Sequence, residues 1–293
     1  MLYASLAAVY VIWGSTYLAM RIAVHEGLPP LLSAALRFLS AGSVMLAYAR
    51  YRGARLPTMS DWKRVAPVGI LLFVGGNGMV SIASQSVHSG GIAVVCATMP
   101  LWVGVLGAAV GESATAREWL SLIVGFVGVL VLLGSPSLAG EPVHVALVMG
   151  SPILWAAGSL WSRRTKDVGG THAPYVGPAL QMLTGGAALA LVALVRGERI
   201  TGDATAHAWF ALGYLWVFGS LIGFTAYAWL LRNARPVLAT SYAYVNPILA
   251  VLIGAALYGE PIGWTTAVAN VLIVGAVMLA LTRPSTSGAR PKT

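Results

Sequence analysis

The sequence predicts an all-α integral membrane protein whose ten transmembrane helices form two inverted five-helix repeats around a central cavity. Three observations predict this architecture. Of the 293 residues, 58% are apolar and only 9% are charged, whereas roughly 25% are charged in soluble domains. The chain divides into apolar runs of about 20 residues, the length that a helix needs to cross a bilayer. Its two halves repeat the same residues, and its basic residues fall in alternate loops.

Ten apolar runs are long enough to be spans. They cover residues 2–24, 29–49, 64–86, 90–111, 117–134, 144–163, 174–195, 208–230, 237–258 and 262–282, which we number one to ten. What lies between them is short loops, so the sequence leaves no soluble domain to hold an active site. The single cysteine, Cys96, cannot form a disulfide or a Cys-based metal site within one chain. We therefore expect neither an enzyme nor a cofactor or metal site.

The two halves share residues at a nearly constant offset. Pro100, Gly107, Ala108 and Ala109 recur as Pro247, Gly254, Ala255 and Ala256, and Glu112, Pro136 and Ser137 recur one residue further on as Glu260, Pro284 and Ser285. This predicts a first repeat over 1–136, a second over 144–284 and a flexible cytoplasmic tail over 285–293. Five spans are an odd number, so the second repeat must enter the membrane from the opposite face. Inverted repeats of this kind build alternating access in transporters.

The basic residues give the topology. Fourteen of the eighteen lie beside loops that follow even-numbered spans or in the tail, namely Arg50, Arg52, Arg55, Lys63, Arg64, Arg117, Arg163, Arg164, Lys166, Arg232, Arg235, Arg283, Arg290 and Lys292. Because Lys and Arg stay on the cytoplasmic side, both termini are predicted to be cytoplasmic. The net charge of +9 is then a topology signal, so we expect a lipid bilayer and a small-molecule solute as partners, not nucleic acid. The membrane expected is the bacterial cytoplasmic one, and the protein is expected to be a monomer or a weak homodimer.

Two prolines mark predicted hinges. Pro100 and Pro247 fall at the middle of spans four and nine. A proline removes a backbone donor and clashes with the carbonyl four residues earlier, and interruptions at matching positions of two halves point to a transport site. The alternative is a packing kink without a role in transport.

Polar and aromatic stripes predict which faces line the cavity. Steps of three and four residues place them on single helical faces, and polar groups on a lipid face are unfavourable. The predicted solute-binding residues are Trp13, Thr16, Tyr17, Asn77, Ser81, Gln85, Trp102, Trp155, Ser159, Tyr227, Tyr244 and Asn246. The alternative for each Ser or Thr is a bond to a carbonyl of its own helix. Four other tryptophans, Trp62, Trp119, Trp209 and Trp264, stand at span ends, where an aromatic belt is expected.

The acidic residues are confined to loops and helix ends. Because proton- and sodium-coupled sites usually keep an ionisable group within the membrane, we expect a neutral, aromatic, hydroxyl-rich cavity and no effect of single Glu→Gln changes beyond folding losses. Glu112 and Glu260 are interpreted as helix-end partners for basic residues. Arg37, in span two, has two interpretations: a structural residue that bonds carbonyls or a neighbouring Glu, or a group that attracts a substrate carboxylate.

Several short motifs resemble those of a known family. Trp13-Gly14-Ser15-Thr16, Leu36-Arg37-Phe38, the stretch from Pro100 to Glu112, and the stretch from Asn246-Pro247 to Gly259-Glu260 resemble the EamA group of the drug/metabolite transporter superfamily. The resemblance implies a ten-helix exporter with inverted repeats and a cavity lined by spans one, three, four, six, eight and nine. The neutral, aromatic character is most similar to YddG-type exporters of aromatic and other neutral amino acids. The second half departs from the first motif, with Trp155-Ala156-Ala157-Gly158-Ser159.

The sequence thus predicts export of small neutral or zwitterionic metabolites by alternating access, as a facilitative carrier, with aromatic and other neutral amino acids first among the solutes. The alternative within the same fold is an exporter of another metabolite or drug, such as a sugar, a nucleotide-like compound or an organic cation, with or without proton coupling. A further hypothesis is a helical scaffold that binds partner proteins. It is supported only by pairs of small residues, which also pack helices within a bundle.

Overall fold

Long helices joined by short loops make up the computed structural model, which describes residues 1–109, 116–133, 138–165, 168, 175–234 and 242–281. The first half contains α1 (Leu2–His25), α2 (Pro30–Tyr51), α3 (Met59–Gly69), a first π segment (Ile70–Gly78), α4 (Met79–Ala83), α5 (Ser89–Cys96), α6 (Met99–Ala109) and α7 (Ala116–Leu133). The second half contains α8 (Pro142–Ser162), a 3-10 turn (Arg163–Thr165), α9 (Val176–Val195), α10 (Ala206–Tyr214), a second π segment (Leu215–Phe224), α11 (Thr225–Asn233), α12 (Tyr242–Tyr258) and α13 (Trp264–Leu281).

The described helices have the length and composition of membrane spans. Seven are long and apolar enough to cross a bilayer, and three more, within α7, α12 and α13, are shorter apolar helices. The described part of each of the ten predicted spans overlaps one of these helical stretches. The protein is an all-helical, multi-pass integral membrane protein.

Two π-helical segments were not predicted from the sequence. The first interrupts span three and the second interrupts span eight, at matching places in the two halves. A π-helix bonds each residue to the fifth one along and commonly marks a functional site. Both segments are rich in glycine, with Gly75, Gly76 and Gly78 in one and Gly219 and Gly223 in the other.

The strongest helix contacts join one half of the chain to the other. α2 packs along α9, and α7 packs along α13. α1 contacts the second π segment and α12, and α8 makes the corresponding contacts with the first π segment and α6. The main buried core therefore lies where the two halves meet.

The two prolines sit in different surroundings. Span four is broken at Ala97 and Thr98, between α5 and α6, and Pro100 is the second residue of α6, not the middle of a continuous helix. Proline is well tolerated in a first helical turn, where its missing N–H has no helical partner. Pro247 lies inside α12, which continues on both sides of it.

The outer helices carry apolar side chains on the surface, as contact with lipid requires. Ile123, Phe126 and Leu130 of α7 are exposed on one side of the bundle. Among the predicted belt residues, Trp119, Trp209 and Trp264 are exposed near helix starts, whereas Trp62 is half-buried against the small core around Val65 and Val176.

Candidate solute-binding cavity

A cavity lies at the contact between the halves. The space between atoms there is about 720 Å³, a figure that includes the part open to the surroundings. Its lining residues come from seven of the ten stretches: Trp13, Thr16, Tyr17, Met20, Arg37, Phe38, Phe73, Gly76, Asn77, Val80, Cys96, Met99, Ser151, Pro152, Trp155, Gly219, Phe224 and Tyr242. These include the six spans expected from the resemblance, and span two in addition.

Three aromatic residues cluster around Trp13. Its centroid lies 5.8 Å from that of Trp155, 5.2 Å from Tyr242 and 4.8 Å from Tyr227, the first two in edge-to-face geometry. The Trp13 Nε1 donates to the Gly219 carbonyl at 3.3 Å. The rings therefore hold one another in fixed orientations and give the cavity a rigid aromatic wall.

Trp13 of span one recurs as Trp155 in span six, and each of these two tryptophans lies against a glycine in the π segment of the other half. A Cβ built on Gly76 would be 2.3 Å from Cε3 of Trp155, and one built on Gly223 would be 2.6 Å from Nε1 of Trp13. No real Cβ contact is that short, so only glycine lets the indoles pack at these depths. The π segments thus position both tryptophans at the cavity.

Arg37 lines the cavity and is 6% exposed. Its Nη2 donates to Oδ1 of Asn77 at 2.7 Å, and its Cζ lies 4.1 Å from the centroid of the Phe38 ring. The expectation of a neutral cavity is therefore wrong, because a guanidinium stands in the wall. The structural interpretation of Arg37 required bonds to carbonyls or to a neighbouring Glu. Among the described residues, Arg37 bonds neither a backbone carbonyl nor a Glu, and its partner is the Asn77 side chain.

Five predicted residues line the cavity, and six others whose side chains the structure describes do not. Those on the wall are Trp13, Thr16, Tyr17, Asn77 and Trp155. Tyr227 belongs to the cluster around Trp13 but is not among the lining residues, and its hydroxyl oxygen lies 3.1 Å from that of the buried Ser159.

The other five differ in their surroundings. Ser81 is buried away from the cavity, Trp102 is half-buried against the main core, and Gln85 is exposed beyond the end of α4. Asn246 is buried, and with its amide nitrogen oriented as a donor it bonds the carbonyls of Tyr242 and Tyr10, tying α12 to α1. The side chain of Tyr244 lies outside the described residues.

Several lining residues were missed from the sequence. Phe38, Phe73, Phe224 and Met99 resemble ordinary core residues by composition, and no spacing distinguishes them. Tyr242 had a signal, since it belongs to the same aromatic stretch as Tyr244 before Pro247, but the residue two positions later was chosen.

A buried ionic cluster adjoins the cavity beyond Met20. The Arg21 Nε lies 3.2 Å from Oε1 of Glu260, and Arg21 Nη1 donates to the Val87 carbonyl at 2.7 Å. Glu260 also accepts from the backbone N–H of Ser89 and Gly90, at 3.0 and 3.2 Å, and from the Ser89 hydroxyl at 2.6 Å. Glu260 therefore partners a basic residue, as interpreted from the sequence, and in addition caps the start of α5. Glu112, its repeat counterpart, lies outside the described residues.

The fold and cavity define a helical membrane protein with a cavity between two halves of one chain. Comparisons with known proteins agree with this class. The profile of the EamA-like transporter family matches twice, over residues 1–134 and 143–282. The chain therefore belongs to the EamA-like transporter family.

Named relatives share most of the chain. It is 41% identical over 280 residues to the uncharacterized inner membrane transporter YedA of Escherichia coli K12, covering 95% of this chain and 90% of that protein. It is 24% identical over 285 residues to the uncharacterized transporter YvbV of Bacillus subtilis, with the same coverage. A solved crystal structure aligns with a TM-score of 0.69 at 21% identity, covering 95% of this chain and 96% of the other, which shows a shared fold.

Proposed function

We propose that the protein exports small zwitterionic metabolites across the bacterial cytoplasmic membrane, with aromatic and other neutral amino acids as the first candidates. The observation that carries this proposal is the aromatic cavity enclosed by helices from both halves. A chamber at the contact between two repeats is where transporters of this construction hold their solutes.

Inverted repeats and ten crossings are part of the proposal. The twofold family match supports two repeats, and the paired contacts of α2 with α9 and of α7 with α13 join elements at equivalent positions. The reciprocal packing of Trp13 on Gly223 and Trp155 on Gly76 has the same symmetry. The distribution of basic residues supports opposite orientations of the halves, with both termini in the cytoplasm.

The chemistry of the wall favours a zwitterion over an organic cation. Aromatic residues supply seven of the 18 described lining residues, Arg37 is the one charged residue among those 18, and none of them is acidic. A cation would meet a guanidinium with no carboxylate to balance it. An amino acid offers a carboxylate for that guanidinium and a side chain for the rings.

Alternating access would be facilitative, with bending at the break before Pro100 and in α12 near Pro247. The break supports a hinge because α5 and α6 are joined through two residues outside the helices. The inner membrane as the location is supported by the similarity to YedA, an inner membrane transporter.

Transport into and out of proteoliposomes tests the proposal. Liposomes with the purified protein are loaded with a labelled amino acid, first phenylalanine or methionine, and efflux is followed with and without a gradient. We expect efflux down the solute gradient that does not need a pH difference. Absence of exchange above protein-free liposomes for all the amino acids would reject the proposal.

A further inference from the structure

We propose that the Arg37 guanidinium is the receptor for a carboxylate of the transported solute, and that the rings around Trp13 hold the apolar part of the same molecule. This inference deepens the proposed function and rests on it. It assigns a single fixed orientation to the solute, with its acid group at α2 and the first π segment.

The hydrogen-bonding capacity of Arg37 is largely unused. A guanidinium has five N–H donors, yet the described residues give it one bond, from Nη2 to Asn77. Its Nε is buried without a partner. No carboxylate of the described residues lies within 4.0 Å of it. Arg37 therefore stands at the cavity with donors left for an incoming acceptor.

Arg21 shows what a neutralised buried arginine looks like in the same protein. Arg21 is 8% exposed and has Glu260 as its counter-ion, whereas Arg37 is 6% exposed and has only the neutral oxygen of Asn77. A buried charge without a counter-ion is strongly unfavourable. An anion that enters the cavity relieves this, and planar bidentate pairing with a carboxylate suits the guanidinium geometry.

The rest of the wall narrows the class of anion. Arg37 is the single charged group among the described lining residues. Its one positive charge balances a solute with one negative charge but not a solute with two. This favours a carboxylate over a phosphate ester. The Phe38 ring lies beneath the guanidinium. The centroid of the Phe73 ring is 4.3 Å from that of Phe38, and the two rings continue the apolar surface toward the tryptophans. The preferred solute has one carboxylate and an apolar or aromatic body.

The test compares acids with matched molecules that lack the acid. Purified protein in detergent is titrated with two matched pairs, L-phenylalanine with L-phenylalaninamide and 3-phenylpropionate with 3-phenylpropanamide. The readout is the shift in melting temperature, alongside counterflow in proteoliposomes. We expect the wild type to bind each acid roughly 10- to 100-fold more tightly than its partner without the carboxylate, the range for a hydrogen bond to a charged group. Equal or reversed preference in the wild type would overturn the inference without any variant.

Variants locate the effect. Arg37→Gln is expected to abolish the preference for acids while leaving the melting temperature unchanged or raised, because it removes a buried charge without a counter-ion. Arg37→Lys is expected to keep part of the preference. Arg52→Gln, at the exposed end of the same helix, removes an equal charge outside the cavity and should keep all of it. A lower melting temperature in Arg37→Gln with the acid preference intact would assign Arg37 a structural role and overturn the inference.

The outcomes separate this inference from the proposed function. If no amino acid is exchanged but 3-phenylpropionate binds through Arg37, the amino-acid proposal fails and the carboxylate site stands. If amino acids are exchanged and Arg37→Gln discriminates acids from amides as the wild type does, only the carboxylate site fails.

Discussion

Arg21 and Glu260, from the first and last thirds of the chain, form an ion pair of 3.2 Å whose side chains are 10% and 5% exposed. The pair joins the end of α1 to the residues after α12, and Glu260 simultaneously binds the first two backbone N–H groups of α5. A carboxylate at a helix start is stabilised by the helix dipole. Three elements of the two halves are thus held together at one end of the cavity.

Replacing Glu260 by Gln should destabilise the protein by about 3–5 kcal/mol, the range for removing one partner of a buried ion pair. Arg21 would lose its counter-ion, and the new amide group would bring donors toward the Ser89 and Gly90 donors. Denaturant or thermal unfolding in detergent measures the loss. This agrees with the sequence expectation that Glu→Gln changes act through folding.

Glu141→Gln is the matched control, because the Glu141 side chain is 73% exposed and lies 4.0 Å from His144. Its effect should be within about 0.5 kcal/mol of the wild type. In a double-mutant cycle, Arg21→Gln should cause little further loss of stability once Glu260→Gln has been made. Equal stability of the Glu260→Gln and Glu141→Gln variants would contradict the role assigned to the pair.

Gly76→Ala and Gly223→Ala should each displace a tryptophan from its π segment. The added methyl would stand 2.3 Å from the Trp155 ring in one case and 2.6 Å from the Trp13 ring in the other. Because indoles are rigid, we expect a loss of about 1–3 kcal/mol in stability, as in overpacked cores, together with weaker solute binding.

Gly213→Ala is the comparison variant, since no atom outside its own helix backbone lies within 4 Å of its added Cβ. It should be neutral or slightly stabilising, because alanine is the better helix former. Unfolding curves and ligand-induced melting shifts are measured on all three proteins. If Gly76→Ala is as stable as Gly213→Ala and binds the solute with unchanged affinity, the close packing of Trp155 on Gly76 is not needed for stability or binding.

The helices could be predicted from the sequence because membrane crossing requires long apolar runs. Which side chains face the cavity was harder, and span three shows why. The stripe of Asn77, Ser81 and Gln85 assumes a regular α-helix through all three residues. The first π segment ends at Gly78 and shifts the phase, and α4 ends at Ala83, so only Asn77 reaches the wall. Glycine content hinted at irregularity there, but not at its hydrogen-bonding pattern.

Arg37 illustrates the second limit of the sequence. Its depth in span two was evident, but the rotational position of a helix depends on tertiary packing, here of α2 on α9. By contrast, Trp13 and Trp155 could be predicted because they occupy corresponding positions in the two repeats. Internal duplication thus pointed to two residues that line the cavity, where composition alone could not.

Trp13→Ala and Asn77→Ala should weaken solute binding by about tenfold or more, equivalent to about 1.4 kcal/mol. The first removes the centre of the aromatic cluster, and the second removes the acceptor that orients Arg37. Titration with the solute found in proteoliposomes measures the effect. Trp264→Ala, a change at a surface tryptophan that is 79% exposed, should alter affinity less than twofold, and equal losses in all three variants would contradict the assignment of the cavity.

Pro100→Ala and Pro247→Ala should slow transport while preserving solute affinity. Pro100 prevents α5 and α6 from joining into one helix, because that helix would need an N–H at position 100 to bond the Cys96 carbonyl. Alanine supplies this N–H and so favours a continuous helix across the α5–α6 break. Alanine at position 247 likewise restores the missing bond inside α12. Each change favours one conformation of a segment that must bend, so initial rates of counterflow are expected to fall about tenfold, with melting shifts by the solute unchanged.

Pro142→Ala is the control, because proline at the first position of α8 leaves no helical bond unmade. If both test variants transport as fast as Pro142→Ala, the prolines are packing kinks and the hinge must lie elsewhere, with the two π segments as the next candidates.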